Sequence, residues 1–172
     1  MTKERLGSLI IASEDSLYRV AKTLLRSNAD CADAIQESIV KAFSNLHTLK
    51  NDRYAKTWLI RILKNECYAI MRKEKKLIPL ESIPDTASYE AEDYTDLYLA
   101  VSNLPEDMRM AVILYYAEGF SIKEVAVIED TTESAIKNRL YKARGRLKKQ
   151  LAVNDAYADR QSAPCKASSS FH

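Results

Sequence analysis

The chain has little glycine or proline and no long apolar run. Its 172 residues include three Gly and four Pro, whereas apolar residues make up 47% of the sequence. This scarcity of breakers, with abundant Leu, Ala, Ile, Lys and Glu, favours helices over a turn-rich β fold. No window approaches ~18 continuous apolar residues, and the N-terminal apolar run is too short for a signal peptide. The sequence therefore predicts an all-α, cytoplasmic protein that does not insert into a membrane.

Cysteine and histidine are too few and too scattered for a metal centre or a disulfide framework. Cys31, Cys67 and Cys165 form no CxxC pair, and His47 and His172 do not complete a ligand spacing. An odd number of scattered cysteines suits a reducing compartment. The sequence also contains no P-loop, HExxH, GxSxG or GxGxxG motif. We therefore expect no metal, no cofactor and no enzymatic activity.

A net charge of only +2 hides an uneven distribution of charge. Residues Arg53–Lys76 include eight basic and two acidic side chains, and Ser134–Lys149 include seven basic and no acidic ones. Between these blocks, Leu77–Ala100 holds six acidic residues and no Lys or Arg. Charge runs are commonly solvated helix faces. Two basic blocks of this kind nevertheless favour a nucleic-acid partner.

The periodicity of apolar residues divides the chain into two helical units. An apolar face over Leu9–Leu25 predicts a first helix, a second helix is expected to begin near Asp30, and a third near Tyr54. These helices form the first predicted domain, residues 1–76. An acidic linker at residues 77–97 and a second helical domain at residues 98–151 follow. Residues 152–172 lack periodicity and are expected to be disordered.

The second domain contains a pattern typical of a helix-turn-helix, from Ser121 to Leu147. Gly119 suits a left-handed cap, and Ser121 with Glu124 forms a capping-box pattern at the start of a short helix. Glu129-Asp130-Thr131 predicts the turn, and Thr132 is expected to cap a longer helix. A short helix, a tight turn and a longer helix make the unit that places its second helix in the major groove.

The outer face of the predicted recognition helix carries donors and almost no carboxylates. At about 100° per residue, the apolar positions Ile136, Leu140, Ala143 and Leu147 cluster on one side. Amide, hydroxyl and ammonium groups lie on the other side, and such groups bind base edges or phosphates. The candidate DNA-binding residues are Glu133, Ser134, Lys137, Asn138, Arg139, Tyr141, Lys142 and Arg144.

Both units resemble domains of one family, the extracytoplasmic-function RNA polymerase sigma factors. Residues Leu104–Leu151 resemble sigma domain 4, with Glu118-Gly119-Phe120-Ser121 and Lys137-Asn138-Arg139-Leu140 matching in type and spacing. Asn28–Glu37 resembles the core-polymerase-binding segment of sigma domain 2, and Tyr54–Asn65 resembles its promoter-melting helix. The resemblance covers roughly residues 8–151. Both domains occur in order, which is a more specific signal than a lone helix-turn-helix.

The chain departs from the family pattern at the turn of the helix-turn-helix. Asp130 stands where a Gly is common, and Glu129 replaces a residue that is usually apolar. Asp tolerates the left-handed conformation better than most residues, so the turn is expected to survive. Glu129 is expected to loosen the local packing.

The resemblance implies a partner and a DNA element for each domain. Domain 2 would bind core RNA polymerase through Asp33, Gln36 and Glu37, and domain 4 would recognise the −35 element of promoter DNA. Domain 2 would also bind the −10 element as unpaired DNA, which requires cations and stacking or pocket residues. The residues implied for this strand are Asn51, Arg53, Tyr54, Lys56, Arg61, Lys64, Asn65 and Arg72. An exposed stripe of α-helical spacing is predicted for Arg61, Lys64, Asn65, Tyr68 and Arg72, and it suits the DNA backbone. Trp58 is expected to lie in the core instead.

The family also has a regulatory partner, an anti-sigma factor that is often membrane-bound and wedges between the two domains. The main alternative is a stand-alone helix-turn-helix transcription regulator that recruits polymerase through another surface. Such a regulator needs an effector pocket or a phosphorylation site, and the N-terminal half suggests neither. A purely protein-binding module would leave the basic face of residues 134–149 unexplained.

Overall fold

The computed structural model describes residues 1–77 and 96–162, and every regular element within those ranges is helical. This confirms the predicted all-α class. The N-terminal unit, residues 1–77, and the C-terminal unit, residues 96–162, each contain four α-helices. They are α1 (Lys3–Ala12), α2 (Glu14–Leu24), α3 (Asn28–Ser44), α4 (Ala55–Leu77), α5 (Asp96–Ser102), α6 (Glu106–Val112), α7 (Ile122–Ile128) and α8 (Glu133–Ser162). The predicted linker falls largely on residues 78–95, which lie outside the described ranges.

The single first helix expected over Leu9–Leu25 is wrong, because the chain breaks it into α1 and α2 at Ser13. The backbone of Ser13 leaves the helical region, with φ −107° and ψ 7°. Its side chain is nevertheless buried, so the apolar face continues across the break. Periodicity alone therefore gave no signal of two helices. The side chain of Thr2 caps α1 by accepting the N–H of Arg5.

Helices α2, α3 and α4 pack together to form the core of the N-terminal unit. Ser27 caps α3 by accepting the N–H of Asp30 at 3.3 Å, so this helix begins slightly earlier than expected. Leu17 on α2 and Leu59 and Leu63 on α4 are fully or almost fully buried. Two short 3-10 turns, Leu46–Thr48 and Asp52–Tyr54, connect α3 to α4.

The predicted caps of the C-terminal unit are confirmed. Gly119 adopts φ +72°, the left-handed conformation that suits a residue without a Cβ. Ser121 and Glu124 form a complete capping box at the start of α7. Thr132 caps α8 by accepting the N–H of Ala135 at 3.1 Å. Both helices of the helix-turn-helix therefore begin where the sequence predicts.

The apolar segment before the helix-turn-helix is only partly buried. Met110 and Leu114 are inaccessible to solvent, as expected for a central helix. After Val112 the helix widens into a π-helical turn over Ile113–Ala117. The segment Met108–Tyr116 is apolar nearly all round, which predicts a buried central helix, but that turn leaves Tyr116 55% exposed.

Helix α8 extends to Ser162 and so includes residues 152–162, beyond the end that the sequence predicted for the second domain. This stretch contains no Gly or Pro and includes three Ala residues, so nothing in it ends the helix. Residues 163–172, the rest of the predicted tail, lie outside the described ranges.

The two units pack against each other through α4 with α7 and through α2 with α6. Their buried apolar side chains belong to one continuous cluster, which joins Leu59 of α4 to Val125 and Ile128 of α7. The sequence predicted two domains and did not predict this contact.

Candidate nucleic-acid interface

The recognition helix α8 has the two faces that its sequence predicts. Ile136, Leu140 and Ala143 are buried against the rest of the C-terminal unit. The opposite face is exposed, and no residue between Ser134 and Lys149 carries a carboxylate. Its exposed candidate residues are Glu133, Ser134, Lys137, Asn138, Tyr141, Lys142 and Arg144. They present donors in a row on one side of a rigid helix, which suits the major groove of duplex DNA.

Arg139 differs from the other candidates because it contacts acidic residues of its own unit. Its guanidinium lies 3.4 Å from the Glu129 carboxylate and 3.5 Å from Asp107. Glu129 is itself almost buried, with a side chain that is 5% exposed. Arg139 therefore braces the turn against the recognition helix, and a phosphate contact by this residue stays a prediction.

Burial raises the pKa of Glu129, although the charges of Lys64 and Arg139 partly offset that effect. One of its carboxylate oxygens, Oε1, has no hydrogen-bond partner. The expectation that Glu129 loosens the local packing stays a prediction. The residue is accommodated in the interior, where an ion pair with Arg139 compensates part of its desolvation.

Tyr116 extends the exposed face of the recognition helix, and the sequence analysis did not single it out. Its hydroxyl accepts a hydrogen bond from Arg144 Nη1 at 3.1 Å. The ring also packs edge-on against Tyr115, with a centroid distance of 4.9 Å. The only signal for Tyr116 in the sequence was its place in an apolar run, which predicted burial.

The candidate −10 residues lie in the turn before α4 and along this helix as far as Arg72. The side chain of Asn51 accepts the N–H of Arg53 at 3.0 Å and fixes the turn that precedes the helix. Tyr54 is 42% exposed beside this turn. The other exposed candidates are Asn51, Arg53, Arg61, Asn65 and Arg72. This surface offers cations and one accessible aromatic ring, the two kinds of group that single-stranded DNA requires.

Lys64 was expected on the exposed stripe, and that expectation of exposure is wrong. Its side chain lies under the C-terminal unit and the residue is only 6% exposed. The ammonium donates to the carbonyl of Ile128 at 2.6 Å and to the Asp130 carboxylate at 3.1 Å. Tyr68, its neighbour on the predicted stripe, is half-buried as well. A buried charge needs such partners, and here the other unit supplies them.

Asp130 adopts the left-handed conformation expected at the turn, with φ 52°. Its carboxylate accepts hydrogen bonds from both Lys64 and Arg61. Partial burial raises the pKa of Asp130, but hydrogen bonding to Lys64 and the charges of Lys64 and Arg61 outweigh that effect and lower it. Asp130, the acidic residue that departs from the family pattern, therefore pairs with Arg61 and Lys64, two of the candidate −10 residues.

A second carboxylate, that of Glu118, also pairs with the N-terminal unit. Its side chain is 2% exposed and lies 2.6 Å from Arg19 Nη1 and 3.6 Å from Lys56 Nζ. The hydroxyl of Ser16 donates to the same carboxylate. Lys56 additionally lies 5.4 Å from the ring centroid of Phe120. The role of Ser16 and Arg19 could not be predicted from the local sequence, because Glu118, which they bind, is about a hundred residues away.

The capping box of α7 also takes part in the contact between units. Thr57 on α4 donates to Glu124 Oε1 at 3.0 Å, while Ser121 binds the other carboxylate oxygen through its N–H and its hydroxyl. Burial raises the pKa of Glu124, but the hydrogen bonds from Ser121 and Thr57 outweigh it and lower that pKa. The Glu124 carboxylate therefore caps the N-terminus of α7 and also binds this helix to α4.

An apolar cavity of about 310 Å³ lies between α4 and α7. Trp58 is half-buried at this cavity and packs against the core, which agrees with its expected place. The lining residues are Tyr54, Thr57, Trp58, Arg61, Lys123, Glu124 and Val127. The contact between units is thus polar at its edges, where this cavity opens to the surface.

The candidate core-polymerase-binding residues Asp33, Gln36 and Glu37 are exposed on α3, as predicted. Val40, one turn further along, is 59% exposed and extends this surface with an apolar side chain. Lys41 binds Glu66 of α4 at 2.7 Å, which raises the pKa of its ammonium. The same ammonium lies 3.8 Å from the Glu37 carboxylate, so this candidate residue has an ion-pair partner within its own helix.

Among the described residues, no group of His, Cys, Asp and Glu side chains could hold a metal ion. Cys31 and Cys67 are buried, and burial raises the pKa of Cys31 and raises that of Cys67 to about 12. Within 1–77 and 96–162, no helix is both long enough and apolar enough to cross a membrane.

Two family models match this chain, in the order that the two units predict. The model described as Sigma-70 region 2 matches residues 9–77, and the one described as Sigma-70, region 4 matches residues 94–147. Together they cover the helices that carry both candidate DNA-binding surfaces.

Individual relatives and a solved structure agree with these matches. The RNA polymerase sigma factor SigV of Bacillus subtilis is 31% identical over 158 residues, which span 90% of this chain and 95% of that protein. The ECF RNA polymerase sigma factor EcfG of Rhodopseudomonas palustris is 33% identical over 158 residues, or 86% of this chain and 85% of that protein. The fold is similar to the sigma factor RpoE of Bartonella quintana, solved in complex with the anti-sigma factor NepR. That match has a TM-score of 0.72 and 29% identity over 87% of this chain and 98% of that one.

Proposed function

The chain belongs to the extracytoplasmic-function sigma factors of the sigma-70 family, and from this premise we propose how its residues divide promoter recognition. It is an alternative sigma factor that binds core RNA polymerase and directs it to specific promoters. The protein acts by binding rather than by catalysis, and it works in the cytoplasm, where polymerase and promoter DNA are found.

The C-terminal unit recognises the −35 element as duplex DNA. The exposed, donor-rich face of α8 is the single observation that carries this assignment. Ser134, Lys137 and Asn138 lie near the N-terminal end of the helix, the part that usually meets base edges. Lys142 and Arg144 lie further along and bind phosphates, which position the helix without reading the sequence.

The N-terminal unit binds core polymerase through α3 and the −10 strand through the start of α4. Asp33, Gln36 and Glu37 present acidic and amide groups to a basic surface of the polymerase. Tyr54, exposed beside the turn that precedes α4, offers an aromatic ring on which an unpaired base can stack. An anti-sigma factor regulates this protein, as the RpoE structure in complex with NepR suggests for a related chain.

In vitro transcription tests this function directly. The full chain is mixed with core RNA polymerase and genomic DNA, and the 5′ ends of the transcripts are mapped. We expect new start sites that share an upstream pair of motifs and that are absent with core polymerase alone. A Glu37→Lys variant should reduce initiation by weakening the bond to polymerase while leaving duplex binding unchanged. Initiation that requires a second sigma factor would instead identify a stand-alone transcription regulator.

A further inference from the structure

We propose that the free protein inhibits itself, because Asp130 and Glu118 of the C-terminal unit occupy the cations with which the N-terminal unit binds the −10 strand. This inference rests on the proposed function of α4. The two carboxylates compete with single-stranded DNA for these cations, and the closed protein still binds duplex DNA.

The first contact is made by Asp130, the residue that replaces the family's common Gly. Its carboxylate binds both Arg61 and Lys64, two cations on the same face of α4. Lys64 is 6% exposed and finds its oxygen partners on Ile128 and Asp130, both in the C-terminal unit. In this closed arrangement, therefore, Lys64 is inaccessible to a DNA phosphate.

The second contact is made by Glu118, whose buried carboxylate binds only groups of the N-terminal unit among the described residues. Arg19 and Lys56 pair with it, and Ser16 donates a hydrogen bond. Lys56 belongs to the candidate −10 residues, so this second carboxylate also occupies part of that surface. Each carboxylate lies between two cations, as a phosphate of a bound strand would.

The contact between units is of a kind that can open. Much of its edge consists of ion pairs, and Arg61 and Asp130 are each about half exposed, so salt weakens their attraction. A cavity of about 310 Å³ remains between α4 and α7. Interfaces between domains of one chain permit relative motion unless they are large and hydrophobic.

The duplex-binding face stays free while the strand-binding face is occupied. Lys137, Asn138 and Lys142 are exposed on α8 in the same closed arrangement. We infer an order of events in which the closed protein binds duplex DNA, whereas the −10 surface becomes available only when the units separate.

The test compares the full wild-type chain with the double variant Asp130→Asn/Glu118→Gln. Asn keeps the shape of Asp and tolerates the left-handed turn, and both changes remove charge without removing atoms. The matched control is Glu14→Gln/Asp15→Asn, which removes two exposed carboxylates from the first turn of α2. Circular dichroism checks that all three proteins are equally helical.

Two measurements are made on each protein. Trp58 is the only tryptophan and lies at the contact between units, so its emission moves to longer wavelength when the units separate. Fluorescence anisotropy gives the affinity for a labelled single strand of random sequence and for the corresponding duplex. We expect the double variant to show the red shift and to bind the strand about tenfold more tightly, because apparent affinity scales with the open fraction. Duplex affinity should change as little as it does in the control.

Two results would overturn the proposal. If the Trp58 emission shows that the variant is open but the variant binds the strand no more tightly than the wild type, competition is excluded. An unshifted emission with unchanged affinity would show that these carboxylates do not hold the units together. Salt gives an independent check, since high salt should shift Trp58 emission in the wild type and not in the double variant. Initiation by core polymerase with the wild-type chain is measured separately, so a failure of the proposed function is distinguishable from a failure of self-inhibition.

Discussion

Asp130, in the turn of the helix-turn-helix, accepts a hydrogen bond at 3.1 Å from the buried ammonium of Lys64 on α4. The two residues are 66 positions apart in the sequence and belong to different units. Their pairing joins the turn that supports duplex recognition to the helix assigned to the −10 strand. The ionisation of Asp130 is consequently tied to the contact between the units.

Lys64→Met should raise the pKa of Asp130 toward its ordinary value. The substitution keeps the aliphatic stem of Lys64 but removes the hydrogen bond and charge that most lower this pKa. Carbon-detected NMR titration of the Asp130 carboxyl group gives the measurement. Arg61→Met is the matched control and should raise the pKa less, because Arg61 has the smaller effect. An equal rise in both variants would contradict this ranking.

The lowered pKa of Asp130 also fixes the sign of a pH effect on the closed state. For an acid whose pKa is lowered in the native arrangement, the stabilisation is present above the ordinary pKa of about 4. It is lost as the pH falls through the lowered pKa. Trp58 emission in the wild type should therefore shift to longer wavelength toward that acid limit.

Glu129→Gln should stabilise the protein near neutral pH. The pKa of Glu129 is raised, so its stabilising contribution is present below the ordinary pKa and is lost as the pH rises through the raised one. Gln has the same shape and carries no charge that must be desolvated. We expect a higher melting temperature for the variant near pH 7, and a smaller difference from wild type as the pH falls toward about 4.

Glu124→Gln provides a control of opposite sign. The pKa of Glu124 is lowered by its hydrogen bonds with Ser121 and Thr57, so its ionised form stabilises the protein. This variant should melt below the wild type near neutral pH, and the difference should also shrink in acid. If both variants melt above the wild type, or both melt below it, then burial of Glu129 and hydrogen bonding of Glu124 do not have opposite effects on stability.

Local features of the fold were predictable because neighbouring residues determine them. The capping box of Ser121 and Glu124, the left-handed Gly119 and the apolar face of α8 each depend on residues within a few turns. The exposed row from Ser134 to Arg144 followed from the same periodicity. The family resemblance then supplied what periodicity cannot, namely the partner of each surface.

The contact between units was unpredictable for the converse reason. Lys64 is charged and lies at a position that suits an exposed stripe, so only a distant carboxylate explains its burial. Glu118 is likewise charged and would ordinarily lie on the surface, so only its pairing with Arg19 and Lys56 explains its burial. At Ser13 the apolar pattern continued through a break that backbone geometry imposes. Pairings over such distances depend on the whole fold rather than on local pattern.

Cys31 and Cys67 should be unreactive in the native protein. Both are buried, and the pKa of Cys67 is raised to about 12, so almost no thiolate forms near neutral pH. In a Cys165→Ser variant, which leaves only these two thiols, a disulfide reagent should react slowly under native conditions and rapidly in denaturant. Fast modification of either thiol in the native state would indicate that α3 and α4 separate readily.

Lys137→Ala and Lys142→Ala should weaken DNA binding in different ways. Both residues are exposed on α8, but Lys137 lies nearer the N-terminal end, where side chains meet base edges. Its loss should relax discrimination at one position of the −35 element by about 1–3 kcal/mol. Loss of Lys142 should weaken all sequences alike and reduce the slope of log affinity against log salt by roughly one unit, because one phosphate contact disappears. Affinities for a panel of single-base −35 variants, measured over a range of salt concentrations, separate the two effects. Indistinguishable profiles for the two variants would mean that α8 has no division between a base-reading end and a phosphate-binding end.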